Sequence, residues 1–224
     1  MYLAGVGSAA ITHMVPHTFY LGEYPTTMLD DDTKGDFEVH VRLHLWAPAP
    51  GKGDLVVTGE WGQHRSVEMW YPAGDSNITV VLPAPATSVK LWWPAGVGSQ
   101  RLYSVNATIL PTSGAIMVTA QRKMGFRYVA LVTGNDTDPR YVEKAATEEG
   151  TELHGMMFRC NGAVIFARGA NVVPTEELEG WYSAAVHTQL VKSSAEANFN
   201  MLRVWGGGVY LPQVCIILLA ILPA

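Results

Sequence analysis

Between residues 36 and 46 the chain reads "DFEVHVRLHLW", and this stretch limits the possible folds more than any other. Phe37, Val39, Val41, Leu43 and Leu45 alternate with Glu38, His40, Arg42 and His44. Successive side chains of a strand point to opposite faces, so this is a strand with one dry and one wet face, half of a layered β structure. Period two continues to about residue 132 in "DLVVTGEW" (54–61), "SNITVVL" (76–82), "SVKLWW" (88–93), "LYSVNATIL" (102–110) and "AIMVTAQRKMGFRYVALV" (115–132). Turn-forming clusters such as "APAPGKGD", "YPAGD", "LPAPA" and "WPAGVG" separate them. About seven short strands at this spacing predict an antiparallel β-sandwich of immunoglobulin-like size over residues 21–132. The histidines between 13 and 64 belong to its solvated faces and loops rather than to a ligand set.

The composition supports a core and narrows the class of partner. Hydrophobic residues make up 48% of the chain and charged residues 16%, so no disorder is expected. A net charge of −5 without a basic block argues against a nucleic-acid surface. The two cysteines, Cys160 and Cys215, form neither a disulfide framework nor a metal-ligand spacing, so no metal or cofactor is expected. The first basic residue is Lys34, which leaves the apolar "MYLAGVGSAAI" without the basic region of a signal peptide. Three Asn-x-Thr sequons, at Asn77, Asn106 and Asn135, are candidate glycosylation sites and hint at a secreted or lysosomal history. The apolar run in "QVCIILLAILPA" is too short to span a bilayer and reads as a buried or truncated helix.

Residues 133–152 are polar and acidic and read as a linker or surface loop. From 153 to 224 the pattern changes. "MMFRCNGAVIFARGAN" places Asn161-Gly162 between two apolar runs, a strong hairpin signal. A helical pattern follows, with Thr175 as its N-cap and Val186, Leu190 and Ala197 on one face. The short strand "MLRVW" comes next. Strand, helix, strand is one βαβ unit of a parallel α/β fold, in which functional groups gather at the carboxyl ends of the strands. Two such ends are present, "RGANVVP" (168–174) and "RVWGGG" (203–208), and they should lie side by side on one rim. Arg203, in an apolar strand, is expected to pair with a carboxylate. Trp205 could serve as a platform for a sugar ring or as packing, and the glycines after it allow close backbone approach. They lack the context of a phosphate loop.

At this point a resemblance becomes specific. "RCNGAVIFARGANVVPTEEL" followed by "SSAEANFNMLRVWGGGVY" resembles the start of the catalytic barrel of β-mannosidases, in the clan that also holds β-galactosidases and β-glucuronidases. "LWWPAGVGSQRLYSVNATI" and "KMGFRYVALV" resemble the immunoglobulin-like domain that precedes that barrel. The similarity runs from about Val89 to Tyr210 and more weakly back to about residue 20. It implies a multidomain chain, β and then α/β: an immunoglobulin-like β-sandwich followed by the first βα units of an incomplete (β/α)8 barrel. Residues 1–20 would be the remnant of a preceding N-terminal β-domain. It also implies a retaining exo-glycosidase that removes terminal β-linked mannose from oligosaccharides or glycoprotein glycans with two carboxylates, one nucleophile and one acid/base. Arg203 would orient the nucleophile, Trp205 would line the sugar subsite, and Asn171 would build the pocket wall. The family's two glutamates lie beyond the motifs present, so the resemblance implies a fragment that is inactive alone. Glu176 and Glu177, the acids near the rim, read as solvated or capping residues. Val172 stands where the family usually has Trp, and "LPQVCIILLAILPA" replaces an acidic amphipathic helix. The alternative reading is a non-catalytic β-sandwich module that binds glycans or a protein partner.

Overall fold

The computed structural model of this chain describes residues 5–133, 136, 137, 156–176, 178, 181 and 183–205. Twelve strands and one α-helix are defined among them, in two compact units.

The first unit comprises the described residues of 1–23, 31–90 and 102–126. It holds seven strands: β1 (Ala10–Tyr20), β2 (Phe37–Ala47), β3 (Gly51–Gly59), β4 (His64–Tyr71), β5 (Gly74–Ala84), β6 (Tyr103–Pro111) and β7 (Val118–Met124). They form a three-stranded sheet in the order β1-β2-β5 and a four-stranded sheet in the order β4-β3-β6-β7, antiparallel throughout. The chain switches sheet between β2 and β3, between β4 and β5, and between β5 and β6. The alternation predicted for β2 is realised: Phe37, Val39, Val41, Leu43 and Leu45 are all buried. Leu55 and Val57 of β3 and Val105, Ala107 and Ile109 of β6 supply buried positions of the other sheet. The sheets meet at an aromatic cluster. Phe126 stands edge-on to Phe37, Trp61 and Tyr103, with centroids 5.4, 5.1 and 5.2 Å away, within the range of favourable ring pairs. The Trp61 indole N–H donates to the Pro83 carbonyl at 2.9 Å, so the one polar atom of this buried ring is satisfied.

Three expectations differ from what is found here. Residues 10–20, set apart as the remnant of another domain, form β1 and pair with β2 from Ala10↔Trp46 to Tyr20↔Phe37. The stretch "SVKLWW" is not a strand: Ala86–Ser88 make a 3-10 turn and Trp92 only an isolated bridge to Gln100. The run from 115 to 132 divides into β7 and a further strand. Pro85 and Pro94, which flank the second of these regions, remove N–H donors from any ladder there.

The second unit comprises the described residues of 24–30, 91–101 and 127–205. Its antiparallel sheet runs β10-β9-β8, from β8 (Val129–Val132), β9 (Met157–Cys160) and β10 (Ala163–Ile165). Asn161 and Gly162 join β9 to β10 with φ of 49° and 82°, the left-handed pair that a two-residue hairpin turn requires. The tip is fully engaged. Asn161 donates from Nδ2 to the Trp92 carbonyl at 3.0 Å, accepts on Oδ1 from the Tyr128 N–H at 2.8 Å, and accepts on its carbonyl from the Leu29 N–H at 2.9 Å. A Cβ on Gly162 would overlap the carbonyl oxygen of Thr27. Glycine is therefore required for space as well as for φ.

The βαβ unit is present as β11 (Gly169–Val172), α1 (Ala184–Glu196) and β12 (Met201–Val204), with β11 and β12 parallel. Its helix starts later than expected. Ser183, not Thr175, is the N-cap of α1, and before it the Trp181 N–H donates to the Leu178 carbonyl at 2.9 Å. Gly180, a poor helix former, lies in the stretch where the longer helix was predicted. The buried face is also rotated: His187 and Val191 are buried, whereas Val186 and Ala197 are exposed. Nearly all of 133–152, with Cys215 and the apolar C-terminal run, lies outside the described residues. No helix among them is long and apolar enough to cross a membrane.

Candidate active-site rim

Local chemistry sets the register of β11 against β12. Helix α1 is stopped just past its Ala197 C-cap by Asn198, whose φ of 58° is left-handed, and the Phe199 N–H closes on the Ser194 carbonyl at 3.0 Å. Asn200 then clamps the start of β12 to the start of β11. Its Oδ1 accepts from the Arg168 N–H at 2.9 Å, its Nδ2 donates to the Phe166 carbonyl at 3.0 Å, and its own N–H donates to the Arg168 carbonyl at 2.9 Å. A Cβ at Gly169 would overlap the Met201 carbonyl oxygen, so the "RGAN" motif needs glycine there for the strands to approach. The sequence reading did not single out Asn200. Its only sequence signal is an Asn between the end of a helix and the first residue of a strand.

With that register fixed, Gly169, Ala170, Asn171 and Val172 stand opposite Met201, Leu202, Arg203 and Val204. Asn171 and Arg203 therefore share a face, and Arg203 Nη1 donates to Asn171 Oδ1 at 3.1 Å. One residue on, the Trp205 N–H donates to the Val172 carbonyl at 3.0 Å and extends the ladder past β12. Trp205 is 46% exposed. The three predicted residues are thus brought to one edge of the parallel pair. Arg203 is exposed, and its partner among the described residues is the Asn171 amide oxygen. Among the described residues β12 has one neighbouring strand, so the guanidinium stays in water and a neutral acceptor suffices. Glu176 is half-buried in the segment after β11, and Glu177, Asn135 and Gly206–Gly208 lie outside the described residues. No group of three or more metal-ligating side chains occurs among those described.

A cleft of about 510 Å³ opens on the same unit, but these three residues do not line it. Leu202 and Val204 do, together with Trp92, Arg127 and Cys160. Strand alternation explains the separation, because Arg203 points away from the face that its two neighbours present. Within the cleft the Arg127 guanidinium lies 4.2 Å from the centroid of the Trp92 ring, and withdrawal from water lowers its pKa. Burial pushes the Cys160 thiol up to about 11, so at neutral pH it is an inert, protonated thiol. Among the described residues no carboxylate lines the cleft, whereas Asn171, Arg203 and Trp205 bring an amide, a guanidinium and an exposed ring together at the strand ends.

The same unit holds a charge cluster that the sequence did not announce. Arg159, 5% exposed in β9, grips Asp136, and Tyr24 donates its hydroxyl to Asp136 Oδ2 at 2.6 Å. A third guanidinium nitrogen donates to the Gly162 carbonyl at 2.7 Å, which ties the cluster to the hairpin tip. The Arg159 hydrogen bonds, and then that of Tyr24, hold the Asp136 carboxyl below its ordinary range. Burial, followed by the bond to Asp136, pushes Tyr24 up to about 12.

Against this geometry, the model of glycosyl hydrolases family 2 matches residues 23–127. Over those residues the chain is similar to that family. It is 32% identical over 189 residues to β-mannosidase A of Neosartorya fischeri, covering 82% of this chain and 20% of that protein. With β-mannosidase A of Aspergillus terreus it shares 34% over 139 residues, covering 62% of this chain and 14% of the relative. Among solved structures, the β-D-mannosidase of Dictyoglomus thermophilum superposes with a TM-score of 0.68 at 21% identity, over 97% of this chain and 24% of that one. The β-glucuronidase of Bacteroides uniformis gives 0.64 at 14% identity, over 95% and 23%. These two structures speak for the fold alone. The chain spans about a fifth of the length of the Neosartorya relative.

Proposed function

We propose that this β-mannosidase-like chain contributes one part of the sugar-binding rim of a retaining exo-glycosidase that hydrolyses terminal β-linked mannose. In this reading β11, α1 and β12 are the first βα unit of a (β/α)8 barrel. Arg203 holds the nucleophilic carboxylate ionised and in line, Asn171 fixes the guanidinium and forms the pocket wall, and Trp205 stacks on the pyranose. The observation that carries it is the bond from Arg203 Nη1 to Asn171 Oδ1, 3.1 Å long, at matched positions of adjacent parallel strands. In this fold class catalytic groups occupy that end of the strands. A guanidinium anchored on one side by a neutral amide keeps its remaining N–H groups for a carboxylate.

Retaining glycosidases use two carboxylates about 5–5.5 Å apart. In our reading both come from later barrel strands, and the chain by itself supplies the orienting and stacking groups only. The glycan route of such an enzyme is secretory or lysosomal. Purified chain incubated with a chromogenic β-mannoside should give no turnover above a protein-free control. Turnover that disappears in Arg203→Ala would overturn this division of labour.

A further inference from the structure

We propose that Asn77 is an N-glycosylation site whose first sugar lies on the Trp46 ring, on the outer face of the β1-β2-β5 sheet. The sequon Asn77-Ile78-Thr79 sits within β5, an edge strand of that sheet. Asn77 and Thr79 are both exposed and, two residues apart on a strand, point to the same side. Across the ladder Asn77 faces His44 and Asp75 faces Trp46, which places Trp46 diagonal to Asn77. Diagonal neighbours lie about 7–8 Å apart, within reach of a large ring. Trp46 is 40% exposed between the buried Leu45 and Ala47, a large ring turned to water on the face that also carries Asn77. The C–H face of a pyranose covers such a ring, and a bulky polar substituent on an edge strand blocks further strand addition.

Asn106 provides the contrast. It lies in β6, a central strand, between Thr58 of β3 and Gln121 of β7, and is only half-exposed. A substituent there has neighbours on both sides, whereas at Asn77 one side is open.

The reaction joins the Asn77 side-chain nitrogen to the anomeric carbon of an oligosaccharide carried on a lipid pyrophosphate. The bond from that carbon to the phosphate oxygen breaks, the lipid pyrophosphate leaves with the electron pair, and the amide loses one proton. The inference does not depend on the hydrolase reading, because it needs only entry into a compartment that holds this donor.

The test is expression of the full chain behind a cleavable secretion leader in a eukaryotic cell line, with recovery of both retained and secreted protein. Peptide mass spectrometry after enzymatic deglycosylation in heavy-oxygen water should find most of the Asn77 peptide tagged, and more of it than of the Asn106 peptide. Asn77→Gln and Thr79→Ala should each remove the mass of one glycan. Trp46→Ala should keep that glycan but erase the difference in melting temperature between the glycosylated and deglycosylated chains. An untagged Asn77 peptide from the recovered chain would overturn the site. A melting difference unchanged by Trp46→Ala would overturn the stacking.

Discussion

Arg159 closes on Asp136 with two of its nitrogens, Nη2 reaching Oδ1 at 2.8 Å and Nε bonding Oδ2, in a place where both side chains are almost wholly withdrawn from water. Removing the acid alone strands a buried guanidinium. We expect Asp136→Ala to cost about 3–5 kcal/mol in denaturant unfolding, in line with broken buried ion pairs. The paired substitution Asp136→Ala/Arg159→Met should recover part of that loss.

The same cluster sets a pH dependence with two limbs. The folded pKa of Asp136 lies below its unfolded value of about 3.9, so its contribution is complete above that value. It is lost as pH falls through the lowered folded value. Tyr24 shifts in the opposite direction, to about 12 from an unfolded value of about 10. Its contribution is complete below pH ~10 and is lost as pH rises through that window. Unfolding free energies measured from pH 9 to 12 should decline in the parent chain, and Tyr24→Phe should remove that part of the decline. At neutral pH Tyr24→Phe should cost about 1 kcal/mol, the usual net value of one hydrogen bond.

Gly162 and Gly169 have the closest backbone neighbours of the described glycines, each a carbonyl oxygen. At Gly162→Ala the new methyl meets the Thr27 carbonyl oxygen in a left-handed backbone, and at Gly169→Ala it meets the Met201 carbonyl oxygen between paired strands. Each should destabilise the chain by about 1–3 kcal/mol. Gly114→Ala, at a φ of 73° with open space around it, should cost only the conformational strain and so less than Gly162→Ala. Thermal denaturation of the three variants side by side gives that order or refutes it.

What could be read from the sequence followed burial. β2 was legible because its alternate residues are fully buried, and the β9–β10 hairpin because Asn-Gly is the turn its backbone demands. Both strands that escaped notice, β1 and β4, are sheet edges. In β1 only Met14 is buried and Pro16 interrupts the donors; in β4 only Met69 and Tyr71 are buried. An edge strand with so little dry surface carries no alternation to detect. The rim residues Asn171, Arg203 and Trp205 were legible because equivalent strand ends of a βαβ unit must lie together. The Tyr24–Asp136–Arg159 cluster was not, since its members are up to 135 positions apart in sequence (159 − 24 = 135) and only tertiary packing joins them.

The most direct test of the rim is kinetic. Residues 156–205 should be exchanged for the matching segment of a full-length relative such as β-mannosidase A of Neosartorya fischeri, and kcat/KM on a β-mannoside measured for this hybrid and for its Arg203→Ala form. The account predicts an active hybrid that loses roughly 100-fold or more on removal of the guanidinium, the scale of a preorganised charge-stabilising donor. A correctly folded, active hybrid in which Arg203→Ala changes kcat/KM by less than about twofold would contradict it, because interactions that matter to the transition state must appear in that ratio.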